Sequence, residues 1–134
     1  MDLHIGRALS VAEVTALLTE ARKRTLDLTE PLSADDLRTQ HDALLSPIVW
    51  DLGHIGHFEE VWLIENLGSS DADSEGLRGM YNPFENPRSV RDELPLPTAD
   101  ECRSYLSTVR EAVIEGLRDV DLEDEAPLLR DGFV

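Results

Sequence analysis

Residues 46–64 read SPIVWDLGHIGHFEEVWLI, a stretch whose apolar residues would cover most of the circumference of a helix. Ser46 and Pro47 form a start signal, because proline at the first helical position gives up no amide that the helix needs. A helix that is apolar nearly all round is typical of a deep position in a bundle. The stretch therefore predicts a buried helix over about 47–66, ending near Gly68, where glycine can take a left-handed cap.

A second helix is predicted upstream, over about 10–29. Ser10 and Glu13 form a capping box, in which the hydroxyl and the carboxylate satisfy each other's backbone amides at the start of a helix. Arg22 is predicted to lie off the apolar stripe of this helix. The stripe itself consists of Val14, Leu17, Leu18, Ala21 and Leu28.

The C-terminal half contains a third predicted helix, over about 98–117, which follows a capping box of Thr98 and Glu101. Its apolar stripe consists of Cys102, Tyr105, Leu106, Val109, Val113 and Leu117. Pro127 marks the start of a fourth helix, and the sequence reaches Val134 before any cap or polar tail. No segment alternates with a period of two, so we expect no sheet. The chain is predicted to be all-α, with its fourth helix incomplete.

The charge balance limits the class of partner. Among 134 residues, 12 Lys and Arg oppose 28 Asp and Glu, which gives a formal net charge of −16. Nucleic-acid backbones and anionic membrane surfaces both attract surplus cation, so we expect neither as a partner. The sequence shows no export signal and no apolar run near the ~20 residues of a transmembrane helix. A single cysteine, Cys102, fits a reducing compartment and reads as a buried small hydrophobe. A cytoplasmic protein is predicted.

Two histidines at helical spacing are the strongest candidates for chemistry. His54 and His57 are neighbours on the surface of the predicted helix, and neutral imidazole is the commonest protein ligand for zinc, iron or copper. Gly53 and Gly56 flank them and cost ~1 kcal/mol each against alanine in a helix, which indicates close approach by another helix, a loop or a ligand. The spacing alone leaves two other interpretations open. The histidines could be polar positions on a packed helix, or they could join carboxylates nearby, namely Asp51, Glu59 and Glu60.

The stretch between Gly68 and Pro97 holds four of the seven prolines and predicts a long connection, either functional or disordered. Within it, Arg78, Arg88 and Arg91 form a local cationic segment in an acidic protein. The planar fork of arginine suits bidentate capture of a carboxylate. The plainer interpretation is that these are surface arginines paired with the surplus acids.

Two motifs, in order, resemble the N-terminal DinB-like domain of the ergothioneine-biosynthesis sulfoxide synthases (EgtB). The first is SPIVWDLGHIG with EEVWL, within residues 46–63. The second is YNPF, PRSVR and LPLP, within residues 81–97. The likeness runs over most of residues 10–134.

This resemblance implies a fold and a metal. The fold would be a DinB-like four-helix bundle, up-down, with the long loop between the second and third long helices. The metal would be a mononuclear non-haem Fe(II) held by three histidines, of which one matches His54. The other two belong to a His-x-x-x-His motif on the fourth helix, and residues 58–134 contain no histidine. His57 is not a ligand position in the family.

The resemblance also implies substrates. Arg88 and Arg91 match arginines that bind the carboxylates of the thiol substrate, γ-glutamylcysteine or cysteine. The family joins that thiol to C2 of trimethylhistidine with dioxygen and forms a sulfoxide, using a catalytic tyrosine from a separate C-terminal domain. We therefore expect an N-terminal fragment or a shortened relative that has no catalytic residue of its own, binds Fe(II) weakly or not at all, and is inactive. An incomplete fourth helix would leave apolar faces exposed and predicts a homodimer.

Two alternatives come from other functional classes. One is a DinB-like thiol-dependent transferase that uses zinc or nickel, which would need a full set of histidines. The other is a non-catalytic helical interaction module, in which Arg88 and Arg91 could be replaced without consequence.

Overall fold

A computed structural model describes residues 9–64 and 79–120 of the chain. Their main α-helices are here called α1 (Val11–Thr29), α2 (Ala34–Arg38), α3 (Ile48–Glu59) and α4 (Ala99–Arg118). A π-helical turn, Glu60–Ile64, continues α3, and a 3-10 helix, Arg88–Glu93, precedes α4. No strand occurs in these two described ranges, which confirms the all-α prediction. The predicted cap at Gly68 and the fourth helix from Pro127 lie outside the described residues.

Side-chain caps begin the two longest helices. At α1 the capping box is complete, since Ser10 Oγ accepts from the Glu13 amide at 3.1 Å and Glu13 accepts from the Ser10 amide at 2.8 Å. At α4 the Thr98 hydroxyl accepts from the Glu101 amide at 3.1 Å. The Glu101 carboxylate bonds to that hydroxyl instead of to the backbone, so the second box is half formed. Pro47 directly precedes α3 without a side-chain cap.

The core is built on one face of α4. Its predicted stripe is buried except for the half-buried Tyr105. The first half of the stripe packs against α3, in a cluster of Val49, Leu52, Cys102 and Leu106. The second half packs against α1, in a cluster of Val14, Val109, Val113 and Leu117. Helix α4 therefore holds α1 and α3 in place.

The buried face of α1 differs from the predicted stripe. Leu17 and Leu28 are 59% and 78% exposed, whereas Arg22, which was predicted to lie off the stripe, is 9% exposed. The prediction was wrong because it ranked residues by hydropathy alone. Arg22 meets a buried carboxylate on α3, and that pairing turns its side of α1 inward.

Helix α3 is not enclosed on all sides, contrary to the prediction of a deeply buried helix. Ile55, Phe58 and Trp62 are 42%, 49% and 40% exposed, at the spacing of one helical face. An open cavity lies against Phe58 and Trp62. The other side of α3, through Val49 and Leu52, faces the core.

The described part of the long connection, which was predicted to be either functional or disordered, contains short helical and turn segments. Residues 79–81 are helical, a turn spans residues 83–85, and the 3-10 helix follows. Asn86 ties the segment together, because its amide donates to the carbonyls of Gly79, Met80 and Asn82. No helix within the described residues is long and apolar enough to cross a membrane.

Candidate functional site

Close approaches to two glycines position the partners of α3. A Cβ atom at Gly53 would overlap the phenol ring of Tyr81. A Cβ atom at Gly56 would lie 2.9 Å from Leu106 and Tyr105 of α4. The expected close approach is confirmed at both residues, by the loop segment at Gly53 and by a helix at Gly56.

His54 is half-buried and held by two contacts. Its Nδ1 atom lies 3.0 Å from the backbone oxygen of Tyr81. Its ring stacks on Trp50, with the ring centroids 4.8 Å apart and an interplanar angle of 12°. A carbonyl oxygen can only accept a hydrogen bond, so Nδ1 donates to it, and in a neutral ring the lone pair is then on Nε2. A histidine held through Nδ1 by a carbonyl is the usual arrangement of a metal ligand that binds through Nε2.

A cavity of about 320 Å³ opens beside His54. Its walls are largely aromatic or apolar and come from α3, the π-helical turn and the segment that follows Met80. They include Phe58, Trp62, Tyr81 and Phe84. Phe84 stands at the rim with 96% of its surface exposed. The cavity could hold a small ligand against His54, because an apolar pocket with few polar groups is typical of ligand sites.

His57 lies at the inner end of the same cavity, and 7% of its surface is exposed. Its ring stacks on Tyr81, with the centroids 5.8 Å apart. Burial raises the pKa of Tyr81, so its phenol remains protonated at neutral pH. The pair forms an internal wall of the cavity.

Arg91 is buried behind the site and bonded within the chain. Its guanidinium carbon lies 3.8 Å from the centre of a Trp50 ring, in a cation–π contact. Its Nε donates to the Asn86 carbonyl at 2.8 Å, and its Nη1 donates to Ser46 Oγ at 2.6 Å. Desolvation lowers the pKa of Arg91 from its ordinary value, partly offset by Asp51. We call Trp50, His54, Tyr81 and Arg91 together the aromatic end.

Arg88 is exposed, in contrast to Arg91. Its Nη1 makes one long hydrogen bond, 3.4 Å, to the Leu44 carbonyl. Neither arginine lines the cavity beside His54, although Arg91 is linked to His54 through Trp50. Arg78 lies outside the described residues.

The carboxylates near the histidines have other partners. Glu59 accepts from Arg22 Nη2 at 2.5 Å and from Arg110 Nε at 2.7 Å, all three side chains being nearly buried. The two guanidiniums also donate to the carbonyls of Leu106 and Leu18. We call Arg22, Glu59 and Arg110 the ionic centre. It was missed in the sequence, although an acid inside an apolar helix opposite arginines on two others could have signalled it.

The remaining two carboxylates are also accounted for. Glu60 accepts the hydroxyl of Tyr105. Partial burial raises the pKa of Asp51, against the opposing effects of a Ser46 hydrogen bond and the charge of Arg91. The contacts of Glu59 and Glu60 argue against a site built from His54 and these two acids.

The described residues offer part of a donor set for a metal. His54 suits a ligand, because its Nε2 keeps a lone pair and its Nδ1 is anchored. His41 is exposed and its Nε2 bonds to the Asp36 carbonyl. Among the residues that the structure describes, no group of three or more His, Cys, Asp or Glu side chains could hold an ion. The described residues thus include a suitable ligand in His54 but no complete metal site.

Helical packing around α4, together with a histidine anchored at an open cavity, defines an all-α bundle protein with a candidate site at His54. The chain belongs to the DinB superfamily, whose family model matches residues 17–131.

Three curated relatives share the name hercynine oxygenase. The protein from Mycobacterium tuberculosis is 42% identical over 113 residues, covering 81% of this chain and 26% of the relative. The one from Mycolicibacterium thermoresistibile is 42% identical over 111 residues, covering 79% and 24%. The one from Mycolicibacterium smegmatis is 38% identical over 112 residues, covering 80% and 25%. This chain therefore spans about a quarter of the length of these relatives.

Proposed function

We propose that this chain is the N-terminal part of a non-haem iron sulfoxide synthase of ergothioneine biosynthesis. The reaction would join γ-glutamylcysteine or cysteine to trimethylhistidine and consume dioxygen, with one oxygen atom ending in the sulfoxide and the other in water. The name of the three relatives supports this assignment. The observation that carries it is the His54 imidazole, anchored through Nδ1 at the edge of an aromatic cavity.

His54 would be one of the iron ligands, binding through Nε2. Iron, when bound, supplies the redox chemistry with dioxygen. The cavity walls, Phe58, Trp62 and Tyr81 among them, would limit water around the bound substrates. Since the described residues contain no group of three or more side chains that could hold an ion, the remaining ligands would come from elsewhere in the protein.

Arg88 and Arg91 would bind the carboxylates of the thiol substrate. Arg88 has an exposed guanidinium, which suits an incoming anion on a protein of charge −16. Arg91 is buried and bonds to Asn86 and Ser46, so it would also fix the loop that carries Arg88.

The first test uses the chain as it is. With one ligand, residues 1–134 should bind Fe(II) weakly or not at all under anaerobic titration, and should show no oxygenase activity. Tight 1:1 binding that is lost in His54→Ala and kept in His41→Ala would contradict the incomplete site. Sedimentation of the same preparation tests the expected homodimer, and a well-folded monomer would count against it.

The second test asks whether a larger protein is active. The coding sequence that contains residues 1–134 should continue into a His-x-x-x-His motif. Its full product, loaded with Fe(II), should consume dioxygen when both thiol and trimethylhistidine are present. His54→Ala should abolish this consumption, whereas His41→Ala should leave it unchanged. Activity in the His54→Ala protein would overturn the proposal.

The alternatives give different results in the same assays. A zinc or nickel thiol transferase would transfer the thiol to an electrophile without consuming dioxygen. A non-catalytic module would hold no metal, and replacing Arg88 would change neither activity nor thiol binding.

A further inference from the structure

Tyr81 occupies a notch in α3 that only a glycine allows. Its side chain is 2% exposed, and its ring lies against Gly53, where a Cβ atom would overlap the hydroxyl and the adjoining ring carbons. The ring also contacts Trp50, at a centroid distance of 5.9 Å, and His57. Gly53 therefore leaves room for the Tyr81 ring, and the ~1 kcal/mol that glycine costs inside a helix is offset by this packing.

The backbone of the same residue contacts the next side chain along α3. The carbonyl of Tyr81 accepts from His54 Nδ1 at 3.0 Å, and the carbonyl of Met80 accepts from Trp50 Nε1 at 3.0 Å. Asn86 holds this segment from the other side through the Gly79 and Met80 carbonyls. The position of the Tyr81 carbonyl is thus set by the Tyr81 ring against Gly53, by the neighbouring bond from Trp50 to Met80, and by the hydrogen bonds of the Asn86 amide, here called the staple.

We propose that Tyr81, seated in the Gly53 notch, is the positioning residue of His54: its carbonyl selects the Nδ1–H tautomer and orients Nε2 toward the cavity. Free neutral histidine favours the opposite tautomer, in which the proton is on Nε2. In that form Nε2 has no lone pair with which to bind a metal. The tautomer of His54 is set by contacts within this chain and does not depend on a bound metal. Only its last consequence, that Nε2 is a ligand nitrogen, rests on the proposed function.

The test reads the tautomer directly, without metal. Long-range ¹H–¹⁵N correlation spectra of the ¹⁵N-labelled chain, at a pH where His54 is neutral, should show Nδ1–H as its dominant form. Gly53→Ala should displace the Tyr81 ring and shift His54 mainly to Nε2–H. The matched control is Gly56→Ala, whose Cβ meets Leu106 and Tyr105 instead, and it should keep Nδ1–H.

Two further variants keep the claim falsifiable if Gly53→Ala does not fold. Tyr81→Phe retains the ring and the carbonyl and should keep Nδ1–H. Asn86→Ala removes the staple without touching α3 and should raise the Nε2–H fraction. A wild-type chain with dominant Nε2–H, or a folded Gly53→Ala chain that keeps Nδ1–H, would overturn the proposal. Failure of the full-length protein to use iron would instead contradict the proposed function and leave the tautomer result intact.

Discussion

The ionic centre and the aromatic end both include residues of α3, but they differ in whether their polar groups are fully bonded within the protein. In the ionic centre, Glu59 pairs with two guanidiniums. Other N–H groups of these guanidiniums donate to the carbonyls of Leu18 and Leu106. The charges are therefore satisfied inside the protein. At the aromatic end, the carbonyl of Tyr81 anchors one nitrogen of His54, and an open cavity lies beside the ring.

This difference separates a structural role from a chemical one. A buried carboxylate between two arginines fixes how α1, α3 and α4 sit against one another, and it has no capacity left for a ligand. A half-buried imidazole with one anchored nitrogen can still bind something at the other. The ionic centre is thus less suitable for chemistry than the aromatic end.

The largest effect is expected from Glu59→Ala. It would leave two buried guanidiniums without their carboxylate and lower the free energy of unfolding by about 3–5 kcal/mol. Urea unfolding followed by circular dichroism measures this loss. Glu20→Ala, which breaks an exposed pair with Arg24, is the matched control and should change stability by less than about 1 kcal/mol.

If Glu59→Ala proves too unstable to fold, Glu59→Gln keeps the shape and removes only the charge. It should still be clearly less stable than wild type. Equal stability of Glu59→Gln and wild type would show that the ionic centre contributes no more than an exposed pair, and the contrast with the aromatic end would fail.

Much of the fold was readable from the sequence. The capping box at Ser10 and the stripe of α4 follow from local rules, and both are present. The burial of Arg22 was not predicted, because local rules do not pair it with Glu59, which is 37 residues away and on another helix. The exposure of Ile55 and Phe58 was not predicted for a related reason. Periodicity tells which residues share a face, but not whether a neighbour covers it.

The site was partly predictable for the same reasons. Two glycines inside a helix signalled close approach, and both glycines have a close neighbour. What approaches Gly53 could not be foreseen, since Tyr81 comes from a segment 28 positions later whose order depends on side-chain bonds from Asn86. The order of the described part of the connection was hidden by its prolines, which local rules associate with loops.

A moderate loss of stability is expected from Arg91→Lys. Lysine keeps the charge but cannot donate to Asn86 and Ser46 at once from a planar fork, and its contact with Trp50 is altered. The free energy of unfolding should fall by about 1.5–3 kcal/mol, the range for hydrogen bonds to a charged group. Thermal unfolding and Trp50 fluorescence together measure it. An unchanged midpoint would mean that Arg91 does not hold the aromatic end together.

The smallest effect on stability is expected from Arg88→Ala, three residues away on the same 3-10 helix. Its guanidinium is exposed and, among the residues that the structure describes, makes only the long bond to Leu44, so the free energy of unfolding should change by less than about 0.5 kcal/mol. If Arg88 binds a substrate carboxylate, the same variant of the full-length protein should raise KM for the thiol at least several-fold while KM for trimethylhistidine changes little. A loss of stability equal to that of Arg91→Lys would place Arg88 in the scaffold of the loop. Arg88 and Arg91 lie on the same 3-10 helix but differ in burial. Comparing their variants therefore distinguishes a residue that stabilises the loop from one that binds the substrate.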